Sequence, residues 1–117
     1  MTNRSKAKGT TAETAVVRYL SDNGIKAHRK TLSGSEDKGD ISVQDDLFVI
    51  EVKNEKRMSL AEYVDEAELE AANTSAISCG VAWHKRRGKA NPGEWYVTMK
   101  GKTFLRILKL ILNLADK

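Results

Sequence analysis

The fifteen residues Gly39-Asp40-Ile41-Ser42-Val43-Gln44-Asp45-Asp46-Leu47-Phe48-Val49-Ile50-Glu51-Val52-Lys53 constrain this chain more than any other stretch. Two runs of alternating apolar residues flank Asp45-Asp46, the pattern of a β-hairpin. With the turn centred there, Gln44 opposes Leu47, Val43 opposes Phe48, Ile41 opposes Ile50 and Asp40 opposes Glu51. Side chains alternate faces along a strand. One face then carries Ile41, Val43, Phe48, Ile50 and Val52 and points to a core, while the other carries Asp40, Glu51 and Lys53. Directly opposed carboxylates repel and destabilise a sheet. Two of them kept beside an ammonium imply a bound cation, and hard divalent ions such as Mg²⁺ take one or two carboxylates plus water and substrate phosphate. The reading depends on register, since a slip of one residue sends the carboxylates to opposite faces. The alternative for the same residues is a solvated polar face with a surface Glu51–Lys53 pair.

The rest of the chain supplies the elements around that hairpin. Arg4, Lys6 and Lys8, without an acid, make residues 1–8 a flexible basic arm. Ala12, Ala15, Val16, Tyr19 and Leu20 recur with helical period and predict a helix from about Thr11 to Asn23, stopped by Gly24. Thr10 and Glu13 have the spacing of a capping box at its start. Ile25–Leu32 reads as a first strand, and Ser33–Gly39 as a polar loop. Ser59 and Glu62 form a capping-box signature for a second helix that runs to about Asn73 and buries Leu60, Tyr63, Val64, Ala67 and Ala71. Ile77–Trp83, almost unbroken in small and apolar residues, fits a strand covered on both sides, reached by a right-handed parallel crossover. A basic loop, 85–93, leads to a last strand, Glu94–Met99, and a final helix spans about Thr103 to Ala115. The order α-β-β-β-α-β-β-α predicts an α/β fold in which helices flank a mixed central β-sheet.

A chain of 117 residues is expected to form a single domain, 1–117. Its net charge of +4 hides an asymmetry, because residues 59–73 hold Glu62, Asp65, Glu66, Glu68 and Glu70 with no lysine or arginine. A basic body with one acidic helix suggests one face for a polyanion and one turned away from it. The bland reading of the acidic helix is that it is simply solvated. One cysteine, Cys79, excludes an internal disulfide, and His28 and His84 are too far apart in sequence to suggest zinc. Both histidines read as surface or half-buried residues. No apolar signal core opens the chain, and the stretch Phe104–Leu114 is too short and too charged to span a bilayer, so the expected location is the cytoplasm. That stretch nevertheless covers more than one helical stripe. Either it tucks deep against the sheet or its excess apolar surface meets a second subunit.

The pattern of Asp40 followed by Glu51, Val52 and Lys53 resembles the active site of the PD-(D/E)xK nuclease superfamily. The closer resemblance is to Holliday-junction resolvases, of the small phage-encoded type and the related archaeal type. Gly9-Thr10-Thr11-Ala12-Glu13, Leu32-Ser33-Gly34-Ser35 and Trp83-His84-Lys85-Arg86-Arg87-Gly88-Lys89 support it, over most of the chain. Gly39 stands where the superfamily has proline. The resemblance implies a restriction-endonuclease-like core and an endodeoxyribonuclease of DNA recombination and repair, active in a host cytoplasm if phage-encoded. The expected reaction is resolution of four-way junctions by paired phosphodiester hydrolysis from a homodimer. It implies that Asp40, Glu51 and the Val52 carbonyl hold Mg²⁺, for which Mn²⁺ can substitute, and that Lys53 orients water. It places Glu13 beside the metal and the serine loop, with Ser33 and Ser35, near the scissile strand. It also tips the apolar last helix toward a dimer contact.

Around such a site Arg4, Lys6, Lys8, Arg18, Arg29, Lys30 and Lys38, with the second group Lys85, Arg86, Arg87 and Lys89, are candidate phosphate contacts. Trp83 and Trp95 could stack on bases, but core packing fits them better. Two alternatives remain open. One is a nuclease of the same superfamily acting on other branched or duplex DNA. The other is a DNA-binding module without catalysis.

Overall fold

A computed structural model describes the backbone of residues 3–30 and 41–114, with side chains from Thr10 onward. Helix α1 (Asn3–Asp22) leads into a five-stranded sheet. Its strands are β1 (Ala27–Arg29), β2 (Ile41–Val43), β3 (Phe48–Lys53), β4 (Cys79–His84) and β5 (Tyr96–Thr98), side by side in chain order. Helix α2 (Leu60–Thr74) joins β3 to β4, and α3 (Gly101–Ile111) follows β5. The β1–β2, β2–β3 and β4–β5 pairs are antiparallel, and β3–β4 is the parallel pair among the described residues. The sheet is therefore mixed, and the α2 crossover runs where the periodicity placed it.

The hairpin register is the expected one: Val43 pairs with Phe48 and Ile41 with Ile50. Gln44, Asp45 and Asp46 all take positive φ, at 53°, 55° and 71°. Such a turn strains any residue with a Cβ, aspartate less than most. Polar contacts hold it in place. The Gln44 N–H donates to the Lys26 carbonyl at 2.9 Å, the Asp46 N–H donates to Ser42 Oγ at 3.1 Å, and Lys26 pairs with Asp45.

One face of the sheet buries Ile41, Val43, Ile50, Val52 and Val81 with Ala12 and Val16 of α1 and with Trp95. Phe48, Leu20 and Trp83 pack at its margin. The other face is covered by α2, whose Tyr63 and Val64 pack on Ala82. What brings α2 so close is Gly80. A Cβ there would lie 2.2 Å from the Ala67 carbonyl oxygen, so only glycine lets β4 touch the helix backbone.

Several boundaries depart from the sequence reading. Residues 3–8 form the first turns of α1 and are not an arm, because lysine, arginine and alanine are strong helix formers. Thr10 is thus inside a helix and cannot cap one. Strand β1 is three residues long instead of running from Ile25 to Leu32, of which 31 and 32 lie outside the described residues. Ile77 is exposed and β4 starts two residues later. Pro92–Glu94 forms a 3₁₀ turn, which shortens the last strand to Tyr96–Thr98. Ser59 is the N-cap of α2, but its side chain makes no capping hydrogen bond, and Leu60 is exposed.

Candidate functional site

The face carrying Glu51 and Lys53 is not open to solvent as a bare strand. Helix α2 lies over it. Glu51 is only 3% exposed. The Lys53 ammonium sits 3.1 Å from a Glu51 carboxylate oxygen and 3.1 Å from one of Glu66. Glu70 closes the group. Carboxylate oxygens of Glu51, Glu66 and Glu70 all lie within 4.8 Å of one another.

The missed residues are Glu66 and Glu70, which the composition of α2 had suggested were solvated or turned away. Both fall one helical turn from the buried Tyr63 and Ala67, on the stripe that faces β3. Their periodicity was a usable signal that the charge count obscured.

Burial, then the adjacent Glu70 carboxyl, pushes the Glu51 carboxyl up to about 10, with Lys53 pulling the other way. Burial opposes the Lys53 charge too, yet Glu51 and Glu66 outweigh it and hold the ammonium above its ordinary value. Lys53 pairs with two of the three carboxyls, Glu51 and Glu66, while Glu70 shares a side-chain hydrogen bond with Glu51. Glu51 Oε1 is buried without a hydrogen-bond partner among the described residues. Three acidic side chains this close could hold a hard cation, and a proton shared between Glu51 and Glu70 accounts for the same geometry. Asp40, the other ligand expected, lies outside the described residues, as do Ser33, Ser35 and Lys38. Val52 is buried on the opposite side of β3, and its carbonyl belongs to the parallel β3–β4 pairing region.

Beyond Lys53 the same face continues across the sheet. Lys53 pairs with His84, and His84 with Tyr96. His84 is 3% exposed, which corrects the expectation of a surface or half-buried ring. Its Nε2 lies 2.7 Å from Thr98 Oγ1, and burial lowers its pKa. His28 is exposed, as expected.

The other expected site residues are distributed differently. Glu13 is not part of the carboxylate group. It accepts two bonds from Arg29, at 3.0 Å from Nε and 2.9 Å from Nη2. Lys30 is engaged with Thr74 at 3.2 Å and Asp46 at 3.8 Å, tying the end of β1 to α2 and the hairpin turn. Arg4, Lys6 and Lys8 lie in α1, and their side chains are outside the described residues. In the basic loop, Lys85, Arg86 and Arg87 line a cleft with Asn54, Glu55, Lys56 and Met58, whereas Lys89 faces Glu94 at 3.7 Å. Gly88, at φ +80°, makes the turn that closes with the Lys89 N–H on the Arg86 carbonyl. Both tryptophans are packed: Trp83 Nε1 donates to Pro92 O and Trp95 Nε1 to Lys89 O.

Helix α3 does not tuck against the sheet. Phe104, Leu105, Leu110, Ile111 and Leu112 are each more than half exposed, and Thr103 is its buried residue, bonded to Glu68 at 2.7 Å. Among the described residues no helix is long and apolar enough to cross a membrane. Neither a protein-family model, nor a curated protein, nor a solved structure matches the chain.

Proposed function

We propose that this protein is a divalent-metal-dependent endodeoxyribonuclease that cuts branched DNA, four-way junctions first, with a restriction-endonuclease-like core. The observation that carries this reading is the Glu51–Lys53 pair on one face of β3, with the Glu66 and Glu70 carboxylates brought onto it by α2. The α/β architecture, a mixed five-stranded sheet with three helices, is compatible with such a core.

Glu51, Glu66 and Glu70, with Asp40 and the Val52 carbonyl, are the residues that would hold Mg²⁺ or Mn²⁺. The chemistry such an ion supplies is polarisation of the phosphoryl oxygen and a lowered pKa for bound water. Lys53 is held charged by its carboxylate neighbours, and an ammonium there stabilises negative charge that develops on phosphate. Lys85, Arg86 and Arg87 position the DNA backbone without reading its sequence. The exposed apolar face of α3 is the contact for a second copy, which would allow paired cuts.

A second reading has its own support. A Lys53 already paired on two sides, over a nearly buried Glu51, also suits a structural ion network in a DNA-binding module without catalysis.

A strand-labelled assay with MgCl₂ separates the two, comparing a four-way junction with duplex of the same sequence. Symmetric nicks near the junction centre, absent in Asp40→Asn and reduced about 10²–10³-fold in Lys53→Met, are the expected result. A junction that is bound but left intact in both MgCl₂ and MnCl₂ sinks the nuclease reading in favour of the module. Equal cutting of duplex and junction would keep the nuclease and remove its junction selectivity.

A further inference from the structure

Tyr96 is an aromatic residue on a sheet edge with 56% of its surface exposed. Two neighbours pack against it. The Arg86 guanidinium lies 4.7 Å from the ring centroid, and the His84 ring meets it edge-on at 6.2 Å. Arg86 is itself tethered, donating to the Glu94 carbonyl at 3.1 Å. These contacts favour one orientation of the ring before any ligand arrives.

The pair forms one wall of a cleft of about 690 Å³. Lys56, on the segment that leaves β3, lines the same cleft, and Lys85 and Arg87 complete the basic lining. The one carboxylate there, Glu55, accepts the Tyr63 hydroxyl at 2.6 Å. Four cations and an aromatic ring therefore line the cleft with one acid that is engaged elsewhere, the Lys85 ammonium lying 5.8 Å from the Trp95 ring centroid.

The position of this cleft is as informative as its lining. Lys53, His84 and Tyr96 form a row across three adjacent strands on the α2 face. Neighbouring strands lie about 4.8 Å apart, so Tyr96 is roughly 10 Å from Lys53 along that row. At about 3.4 Å per base step, this is a span of about three nucleotides. Bases inside a duplex are stacked on each other and cannot meet a side chain's flat face. An unpaired base can, and stacks on aromatic rings and on guanidinium planes.

We propose that the cleft binds an unpaired nucleotide, with Tyr96 and Arg86 stacking on the base and Lys56, Lys85 and Arg87 holding the flanking phosphates. The inference deepens the nuclease reading, on which it rests for what brings DNA to this face. It names the substrate class: DNA with an unstacked or extruded nucleotide a few steps from the cut.

The test uses the full chain in EDTA, where binding is read without cutting. A 2-aminopurine oligonucleotide is offered as a single strand, as a blunt duplex, and as a duplex with that base extrahelical. The single strand and the bulged duplex should bind about tenfold more tightly than the blunt duplex and quench the probe on binding. Tyr96→Ala should erase the preference and Tyr96→Phe should keep it. Arg87→Gln should weaken all three substrates alike and lower the salt slope by about one. A thermal melt establishes that each variant is folded.

An unchanged preference in Tyr96→Ala overturns the proposal, and so does equal binding of all three by the natural sequence. A parallel cleavage arm in MgCl₂ separates the two readings. Tyr96-dependent preference without cutting keeps the cleft and removes the nuclease. Cutting without preference does the reverse.

Discussion

Helices α2 and α3 have exchanged the roles their compositions suggest. Helix α2 holds five acidic residues, yet it is pressed against the sheet with Tyr63, Val64, Ala67, Glu70 and Ala71 buried. Helix α3 is mostly apolar, yet Thr103 is its buried residue and Leu105 and Leu110 are more than half exposed. The comparison teaches that a helix is buried by what waits for it on the neighbouring surface. Beneath α2 are Gly80, which admits its backbone, and Lys53, which pairs with its Glu66. Helix α3 is held by polar contacts, Thr103 to Glu68 and Arg106 to the Ile77 carbonyl at 2.7 Å. Its apolar side stays exposed, and exposed apolar patches of this kind are what the proposed second copy would cover.

The hardest way to break the contrast is to lift α2. Gly80→Val places a side chain where the Ala67 carbonyl stands. Urea denaturation should register a loss of about 3 kcal/mol, at the upper end for overpacking, and an unchanged midpoint would mean that α2 does not sit as described.

Lys53→Met removes the cation shared by Glu51 and Glu66. Truncating one partner of a fully buried pair costs about 3–5 kcal/mol. Here about 2 kcal/mol is expected, because Lys53 is 18% exposed and Glu51 can stay protonated.

Glu51→Gln sharpens the point. In the metal-free folded chain Glu51 keeps its proton up to about 10, against an ordinary value of 4.5. The folded state then binds more protons than the unfolded state between those limits, so stability falls as pH rises through the window. Denaturation at pH 6 and pH 9 should show that fall, and Glu51→Gln should flatten it while costing under about 1 kcal/mol. A slope unaltered by the substitution would assign the effect to another group.

The smallest effect on folding is expected at the other helix. Leu110→Glu with Ile111→Glu should move stability by less than about 0.5 kcal/mol, as for surface positions generally. Sedimentation should nevertheless shift from dimer to monomer. A natural sequence that sediments as a monomer at all concentrations would remove the second-copy reading of α3.

Local pattern made the hairpin legible. The alternation through Val43 and Phe48 and the turn at Asp45-Asp46 prescribe one register, and a shift of one residue would expose Ile41 and Ile50. The same local logic located α2 and the parallel strand after it, and it put Glu51 and Lys53 on one face. The extra turns of α1 and the 3₁₀ turn at Pro92 were less legible, since helix ends and strand ends depend on contacts outside the window being read.

What the chain alone determined is which side chains share a strand face and a helix stripe, because those follow from backbone periods of two and 3.6 residues. What the tertiary structure decided is which face meets which stripe. Glu66 and Glu70 join Lys53 because Gly80, ten residues beyond Glu70 and on another element, lets α2 approach the sheet. Tyr96 joins the same face because β5 pairs with β4 in one particular register. Such meetings are set by close packing between elements distant in sequence, and no local pattern carries them.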